Sequence, residues 1–251
     1  MTGYNDKNII TDVVFFKSED KMFRNENKYM ISFAQEEYLK MHLQELCESD
    51  SHTDVTNRYY IRSLYFDDYD SSAYSDNARG VDNRTKYRIR IYNCDSSVIH
   101  LECKQKVNGK IHKEKAVITR EFCQKLMEDR GEELEYPTAN LLINRFLYLY
   151  HTQYLRPRVI VEYEREPYVH PDGDVRITID RNISFSEDVE HFFEKDIFMQ
   201  PILPTGQNLL EVKYTEFLPE FIKDTLDIKH MQRITFSIYY LCEKFRRGKG
   251  V

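Results

Sequence analysis

Three short segments of the chain alternate charged and apolar residues, and most of their charges are basic. The segments are 86–92 (KYRIRIY), 101–106 (LECKQK) and 210–214 (LEVKY). Because alternate side chains of a β-strand point to opposite faces, each segment predicts a strand with one charged face and one apolar face. Recurrence of the pattern predicts a sheet that gathers basic side chains into one concavity, as a ligand carrying several phosphates requires.

The same pattern has a simpler explanation. A single strand with alternate basic residues usually turns its charged face to water. Glu-x-Lys arrangements on neighbouring strands can also be cross-strand ion pairs of modest strength. Recurrence on separate strands of one chain favours the shared site.

The composition limits what such a site can bind. The chain has 251 residues, of which 41% are hydrophobic and 14% aromatic, and its net charge is -6. This length suits one large domain or two small ones. A basic site must therefore be local and set in an acidic exterior, which fits a small or threaded anion better than a nucleic acid.

The cysteines and the N-terminus bear on the cellular compartment. The five cysteines form no CxxC pair, so neither a disulfide framework nor a zinc site is indicated. The N-terminus lacks a basic region followed by a long apolar run, and no segment approaches the ~20 apolar residues of a membrane span. We expect reduced thiols, a cytoplasmic location and no membrane span.

The predicted strands are mostly linked as antiparallel neighbours. Asn108-Gly109 lies between alternating runs at 98–107 and 110–118, which is a strong hairpin signal. Strand groups separated by helices indicate an α+β protein and not a doubly wound α/β sheet. Because the strands' second faces are apolar, helices should pack outside a barrel whose charged interior forms a hydrated tunnel.

Local signals predict where the helices begin. Ser32 with Gln35 predicts a capping box, and Thr138 predicts the N-cap of a later helix. The polar segment 68–83 reads as a loop. The segment 219–247 reads as helical, with a break near Asp227.

A tunnel of this kind suits phosphoryl transfer, which needs positioning and charge neutralisation more than a nucleophile. Glu26, Glu102 or Glu211 could supply hard oxygen ligands for a metal. His100 and His112 have no ligand-like cluster around them in the sequence, so we read them as structural or exposed. The basic residues that could line the tunnel are Lys28, Arg88, Arg90, Lys104, Lys106, Lys115, Arg165, Arg176 and Lys213.

Seven segments taken together resemble the VTC domain, the catalytic domain of the vacuolar transporter chaperone polyphosphate polymerase, in its stand-alone bacterial form. The segments are FRNENKYMI at 23–31, IRSLYFDD at 61–68, RTKYRIRIY at 84–92, LECKQKVNGKIHKEKAVI at 101–118, VEYEREPY at 161–168, VRITID at 175–180 and LEVKYTEFLPEFI at 210–222. That domain belongs to the triphosphate tunnel metalloenzyme (CYTH-like) superfamily.

The resemblance implies an eight-stranded antiparallel tunnel with helices outside, in which residues 1–22 are a leader and 23–251 a single domain. It implies transfer of the γ-phosphate of ATP onto a growing polyphosphate chain, with Mn²⁺ or Mg²⁺ held by Glu211 and with Glu26 as a second candidate ligand. The candidate catalytic residues are Lys28, Arg88, Arg90, Lys104, Lys115, Arg165, Arg176 and Lys213. The candidate substrate-binding residues are Lys86, Lys106 and Ser237.

One position departs from the family pattern. The family usually has a Ser-Lys-Tyr-like piece on its last helix, whose lysine reaches the phosphates, whereas here Ile238 stands where that lysine is expected. Because isoleucine cannot pair with phosphate, either Lys244 or another base substitutes, or the enzyme is slow, or the domain binds without polymerising. The alternatives to a polymerase are therefore a degenerate polyphosphate- or nucleotide-binding module and a tunnel triphosphatase.

Overall fold

The computed structural model of the chain describes residues 24–49, 57–226, 231, 233–235 and 237–248. The predicted leader at 1–22 and the predicted helix break near Asp227 lie outside these residues. The described strands are β1 (Asn25–Ser32), β2 (Glu48–Ser49), β3 (Tyr59–Asp67), β4 (Arg84–Tyr92), β5 (Asp95–Val107), β6 (Lys110–Ile118), β7 (Arg156–His170), β8 (Val175–Ser186), β9 (Gln200–Pro201) and β10 (Gln207–Tyr214). The described α-helices are α1 (Phe33–Leu46), α2 (Ser72–Ala78), α3 (Arg120–Met127), α4 (Leu141–Thr152), α5 (Glu220–Thr225) and α6 (Ile238–Arg246).

Eight long strands form one antiparallel sheet in the order β1-β10-β8-β7-β3-β4-β5-β6, and the two-residue strands β2 and β9 pair with β7 and β8. An isolated antiparallel bridge between Arg24 and Ile111 brings together the two edges of this sheet. The sheet therefore curls into a barrel, and we call the space that it encloses the lumen. The predicted α+β fold with an eight-stranded antiparallel barrel is confirmed.

The hairpin between β5 and β6 forms where the sequence predicts it. Val107 pairs with Lys110, and the two turn residues Asn108 and Gly109 have φ angles of 51° and 75°. Positive φ at both central residues is the geometry that Asn-Gly favours in a two-residue hairpin. The turn fixes the register of both strands.

The apolar faces of the strands pack outward against helices. Tyr87, Ile89 and Ile91 of β4 lie in one buried cluster with residues of α3 and α4. Ile177 of β8 and Val212 of β10 lie in a second cluster with residues of α1 and α5. Because these faces are covered from outside, the charged faces of the same strands line the lumen, as predicted.

Helix α6 packs differently from α1, α3, α4 and α5. Its Ile238 and Tyr239 lie in a third cluster with Val159, Val161 and Phe185 of the inner faces of β7 and β8. These inner side chains are apolar, so burial against α6 removes them from water. The expectation that helices pack outside therefore does not extend to α6, which covers one end of the lumen.

Two predicted boundaries were wrong and one is confirmed. The capping box of Ser32 and Gln35 is present at the start of α1. The N-cap of α4 is Asn140, whose side chain accepts hydrogen bonds from the first turn, whereas Thr138 bonds to Asn144 instead. The predicted loop at 68–83 contains α2, because carboxylates at its start accept hydrogen bonds from its backbone amides.

The predicted helical segment 219–247 contains two separate described helices, α5 and α6. Among the described residues, no helix has the length and apolar character that crossing a membrane would require.

Candidate functional site

Glu102 of β5 is the anionic centre of one wall of the lumen. Its Oε2 accepts a hydrogen bond from Arg88 Nε at 2.7 Å, and its Oε1 lies 2.5 Å from Lys113 Nζ. Burial alone would raise the pKa of Glu102, but Arg88, Arg90 and Lys113 outweigh burial and hold the pKa well below its ordinary value. The carboxylate is therefore ionised and holds the cations around it.

Arg90 is buried among hydroxyl groups. Its Nε donates to Ser63 Oγ at 3.1 Å and its Nη2 to Tyr163 Oη at 3.2 Å. The nearest carboxylate atom, Glu102 Oε2, lies 3.7 Å from Nη1. Arg90 therefore has less of its charge neutralised by a close carboxylate than Arg88, which suits it to attract an anion.

Arg165 of β7 is in the opposite situation. Its Nε and Nη2 donate to the two carboxylate oxygens of Asp180 at 2.6 and 2.7 Å. This bidentate pair uses the fork with which a guanidinium would otherwise bind phosphate. Arg176 of β8 lies near the same wall, where its Nη2 donates to Tyr59 Oη at 3.1 Å.

The strands β1, β10 and β5 bring two carboxylates and three lysines together. Lys28 Nζ lies 2.7 Å from Glu211 Oε2 and 3.4 Å from Glu26 Oε1. Lys213 also pairs with Glu211, and Lys104 of β5 donates to both oxygens of Glu26 at 3.0 and 3.1 Å. The contact between Lys104 and Glu26 links β5 to the edge strand β1 and helps to close the barrel.

The ionisation of this group follows from its geometry. Burial alone would raise the pKa of Glu211, but Lys213, Lys28 and Arg165 hold it well below its ordinary value. Burial alone would lower the pKa of Lys28, but Glu211 and Glu26 outweigh burial and raise it. Both groups therefore carry charge.

The lumen offers hard oxygen atoms for a divalent cation. Glu26 and Glu211 face the same space, and Thr178 lies directly opposite Glu211 in the ladder between β8 and β10. Thr178 Oγ1 is buried and makes no hydrogen bond with the described residues. The described residues contain no group of three Asp, Glu, His or Cys side chains suited to a metal. The arrangement fits a cation that is held partly by one or two protein carboxylates and partly by phosphate oxygens of a ligand, as Mg²⁺ commonly is.

Lys86 lies at the α6 end of the lumen. Its Nζ donates to Ser237 Oγ at 2.6 Å and to Asn77 Oδ1 at 3.0 Å. Burial, together with Arg84 and Lys104, lowers the pKa of Lys86 to about 7. The structure thus brings together two of the predicted substrate-binding residues, Lys86 and Ser237.

Two lysines on the same face of β6 make different contacts. Lys115 is opposite Glu102 in the β5–β6 ladder, but its side chain is exposed and makes no ion pair with the described residues. Lys113, which our candidate residues did not include, contacts Glu102 instead. Because Lys113 is two residues from Lys115 in β6, the alternation in the sequence already predicts that both lie on the same face. The alternation could therefore have identified Lys113 as a candidate. Lys106 lies 3.6 Å from Asp82, at the hairpin end of β5.

Ile238 packs among apolar and aromatic side chains. It is 9% exposed and packs in the apolar cluster under α6, one residue after the N-cap Ser237. The cation nearest this cap is Lys86, whose ammonium contacts the Ser237 hydroxyl. Lys244 lies nearly two turns further along α6.

Sequence comparison identifies the family. The sequence model of the VTC domain matches residues 23–244. The chain belongs to the VTC domain family. The resemblance to the VTC domain is thus confirmed. The search of curated proteins found no match to this VTC domain.

Two solved structures are similar to this VTC domain at low sequence identity. A Hippeastrum protein named as an adenylyl cyclase, with a dominant triphosphatase activity, is 16% identical, has a TM-score of 0.51, and is matched over 92% of this chain and 98% of its own. A Bacillus halodurans protein named as an adenylate cyclase is 14% identical over 84% of this chain and 92% of its own, with a TM-score of 0.48. At this level of identity, the Hippeastrum structure supports the fold alone.

Proposed function

We propose that this VTC domain is a metal-dependent phosphotransferase that moves the γ-phosphate of ATP onto inorganic polyphosphate. One observation carries the proposal: eight arginines and lysines that face the lumen outnumber its four carboxylates, and the two metal-compatible glutamates lie among those cations. The cations are Lys28, Arg88, Arg90, Lys104, Lys113, Arg165, Arg176 and Lys213, and the carboxylates are Glu26, Glu102, Asp180 and Glu211.

The residues would act by binding and neutralising charge. Arg88 and Arg90 would hold the β- and γ-phosphate oxygens, because guanidinium groups match phosphate geometry. A divalent cation held by Glu26 and Glu211 would offset the charge on the transferring phosphoryl group. The bond from the γ-phosphorus to the β,γ-bridging oxygen breaks while a terminal polyphosphate oxygen bonds to that phosphorus, and ADP leaves. The chain therefore needs no nucleophile of its own.

Lys86 would supply the charge that the family pattern assigns to a lysine at the position of Ile238. Its ammonium lies against Ser237, the residue that precedes Ile238. A cation therefore reaches this end of the lumen from β4 instead of from α6. This geometry favours an active domain over one that only binds.

Hydrolysis is the second candidate. It is favoured by the dominant triphosphatase activity named for the Hippeastrum protein, which shares the fold. Water would then replace the polyphosphate oxygen as the acceptor. Binding without turnover is the third candidate, which Ile238 motivates.

Product analysis distinguishes these candidates. The purified chain is incubated with ATP and Mn²⁺, the products are run on a gel stained for polyphosphate, and ADP and phosphate are assayed. A polymer ladder with ADP supports the polymerase. ADP and phosphate without a ladder indicate hydrolysis, and ATP binding without turnover indicates the binding module.

The tunnel itself is tested by binding. Arg90→Ala should weaken the affinity for inorganic tripolyphosphate by at least about tenfold, because a buried cation is removed from the site. Arg79→Ala is the matched control. Arg79 is exposed, and its ion pair among the described residues is with Asp76, outside the lumen. Equal affinities for both variants and the unchanged chain would contradict the tunnel site.

A further inference from the structure

Three aromatic rings lie together on the lumen face, at the end opposite α6. The ring centroids of Tyr59 and Tyr92 are 5.8 Å apart, and those of Tyr92 and His100 are 6.3 Å apart. The three rings come from β3, β4 and β5, and we call them the aromatic cluster. The Tyr59 hydroxyl accepts a hydrogen bond from Arg176, so a cation adjoins the rings.

His100 lies on the lumen face of β5, a placement that its interpretation from the sequence as structural or exposed did not include. It lies directly opposite Arg90 in the β4–β5 ladder and opposite Val117 in the β5–β6 ladder. Its Nδ1 is buried and makes no hydrogen bond with the described residues. Burial and Lys115 lower the pKa of His100, so the ring is neutral and can offer Nδ1 to a polar ligand.

The surface beside His100 is apolar and open. Val98 and Val117, on the same face of β5 and β6, are 48% and 66% exposed. Exposed valines next to a basic lumen have no role in binding phosphate, because they carry neither charge nor a hydrogen-bond donor. They suit a ligand whose phosphate end is followed by a flat, less polar group.

The two ends of the lumen differ in what they offer. At the α6 end, the rings of Tyr65 and Tyr239 stack on each other and are 7% and 1% exposed, so they cannot receive a ligand. The groups that remain accessible there are cations, including Lys86 and Lys106. The accessible rings of the aromatic cluster are Tyr92 and His100, which are half-buried, whereas Tyr59 is 7% exposed and supports them from behind.

We propose that the aromatic cluster binds the nucleoside of a nucleoside triphosphate, with the base against Tyr92 and His100. The inference rests on the proposed function. Side chains on one face of a strand repeat about every 7 Å, so phosphates that follow the base would reach Arg90 and then Arg88. The base contacts the rings in a stacked or edge-to-face geometry, as bases do with aromatic side chains in proteins.

The test compares two ligands that differ only in the nucleoside. Dissociation constants for ATP and for inorganic tripolyphosphate are measured by titration calorimetry on the full chain and on Tyr92→Ala and His100→Ala. Tyr148→Ala and His151→Ala, which change exposed residues of α4, are the matched controls. We expect Tyr92→Ala and His100→Ala to weaken ATP binding by about tenfold. Tripolyphosphate binding should change less than about twofold, which also shows that the variants fold.

The outcomes separate this inference from the proposed function. Equal losses for ATP and tripolyphosphate, or no loss for either, would overturn the nucleoside site while leaving the phosphate tunnel intact. An unchanged chain that binds neither ligand would overturn the proposed function itself. A selective loss of ATP affinity in the Tyr148→Ala control would also overturn the assignment, because the base would then lie elsewhere.

Discussion

At the residue scale, Glu211 has the most constrained position in the lumen. It is 3% exposed, pairs with Lys28 and Lys213, and faces the unpaired hydroxyl of Thr178. A carboxylate in this position can give up its ion pair with a lysine and bind a metal ion that arrives with a phosphate ligand. The phosphate then forms the ion pair with the lysine in place of the carboxylate. Under the proposed function, Glu211 would therefore link substrate binding to metal binding.

Glu211→Gln tests this link, because it keeps the size of the side chain and removes its charge. We expect turnover of ATP with Mn²⁺ to fall by at least about 100-fold and bound Mn²⁺ to decrease, since an anionic ligand is lost. Free Mn²⁺ measured by electron paramagnetic resonance gives a readout that does not depend on activity. Glu132→Gln, at an exposed residue, is the control. Unchanged Mn²⁺ affinity would contradict the role of Glu211 as a ligand.

Lys86 should make phosphate binding depend on pH. Because its pKa is lowered to about 7, Lys86 is charged below that pH and loses its charge above it. The loss of tripolyphosphate affinity caused by Lys86→Met should therefore be large near about pH 6 and should shrink towards about pH 9. Titration calorimetry at several pH values measures it.

Arg88 provides the matched control for this pH dependence. Burial lowers the pKa of Arg88, but Tyr65 and Glu102 outweigh burial and raise it well above its ordinary value, so Arg88 keeps its charge throughout. The affinity loss of Arg88→Met should then be the same across the range. A loss for Lys86→Met that does not change with pH would show that Lys86 stays charged in the folded protein.

At the scale of the elements, α6 depends on its apolar side for its place in the barrel. Ile238, Tyr239 and Cys242 bury this side against the inner faces of β7 and β8. The Tyr239 hydroxyl donates to Asp67, which also accepts hydrogen bonds from the backbone of α2. Asp67 therefore joins α2, α6 and β3 at one end of the lumen.

Ile238→Lys tests whether this position can serve the lumen. Because Ile238 is buried among apolar side chains, we expect the lysine to reduce the free energy of unfolding by about 3 kcal/mol without raising activity. Urea denaturation measures the change. Ile238→Leu is the control and should cost less than about 1.5 kcal/mol. A stable Ile238→Lys variant with faster turnover would show that position 238 can reach the phosphates.

At the scale of the whole molecule, the lumen concentrates positive charge inside an otherwise acidic protein. The chain carries a net charge of -6, yet cations exceed carboxylates in the lumen. Mutual repulsion among these cations reduces stability until an anion relieves it. A bound polyanion should therefore stabilise the entire barrel.

Inorganic tripolyphosphate should raise the midpoint of thermal unfolding. At about 100 times its dissociation constant, mass action predicts an increase of about 5–10 °C for a chain of this size. Differential scanning calorimetry measures it, and added salt should reduce the effect by weakening binding. The double variant Arg88→Ala, Arg90→Ala is the control and should show a much smaller increase. An equal increase in that variant would mean that the anion binds outside the lumen.

Local patterns were sufficient to predict much of the barrel. The alternation at 86–92 predicted that Arg88 and Arg90 share a face opposite Tyr87 and Ile89, and the structure confirms it. Asn108-Gly109 predicted the hairpin because both residues tolerate positive φ. These features depend on backbone geometry within a few residues, which the sequence contains directly.

The sequence by itself determined which residues are polar, which alternate, and which strands can pair. Only the tertiary structure decided that Lys113 and not Lys115 contacts Glu102, although both share one face of β6. It also decided that α6 covers the inner face of the barrel and that His100 lies in the lumen. The physical reason is that strand tilt, barrel closure and helix placement depend on contacts between residues distant in the chain, which periodicity does not encode.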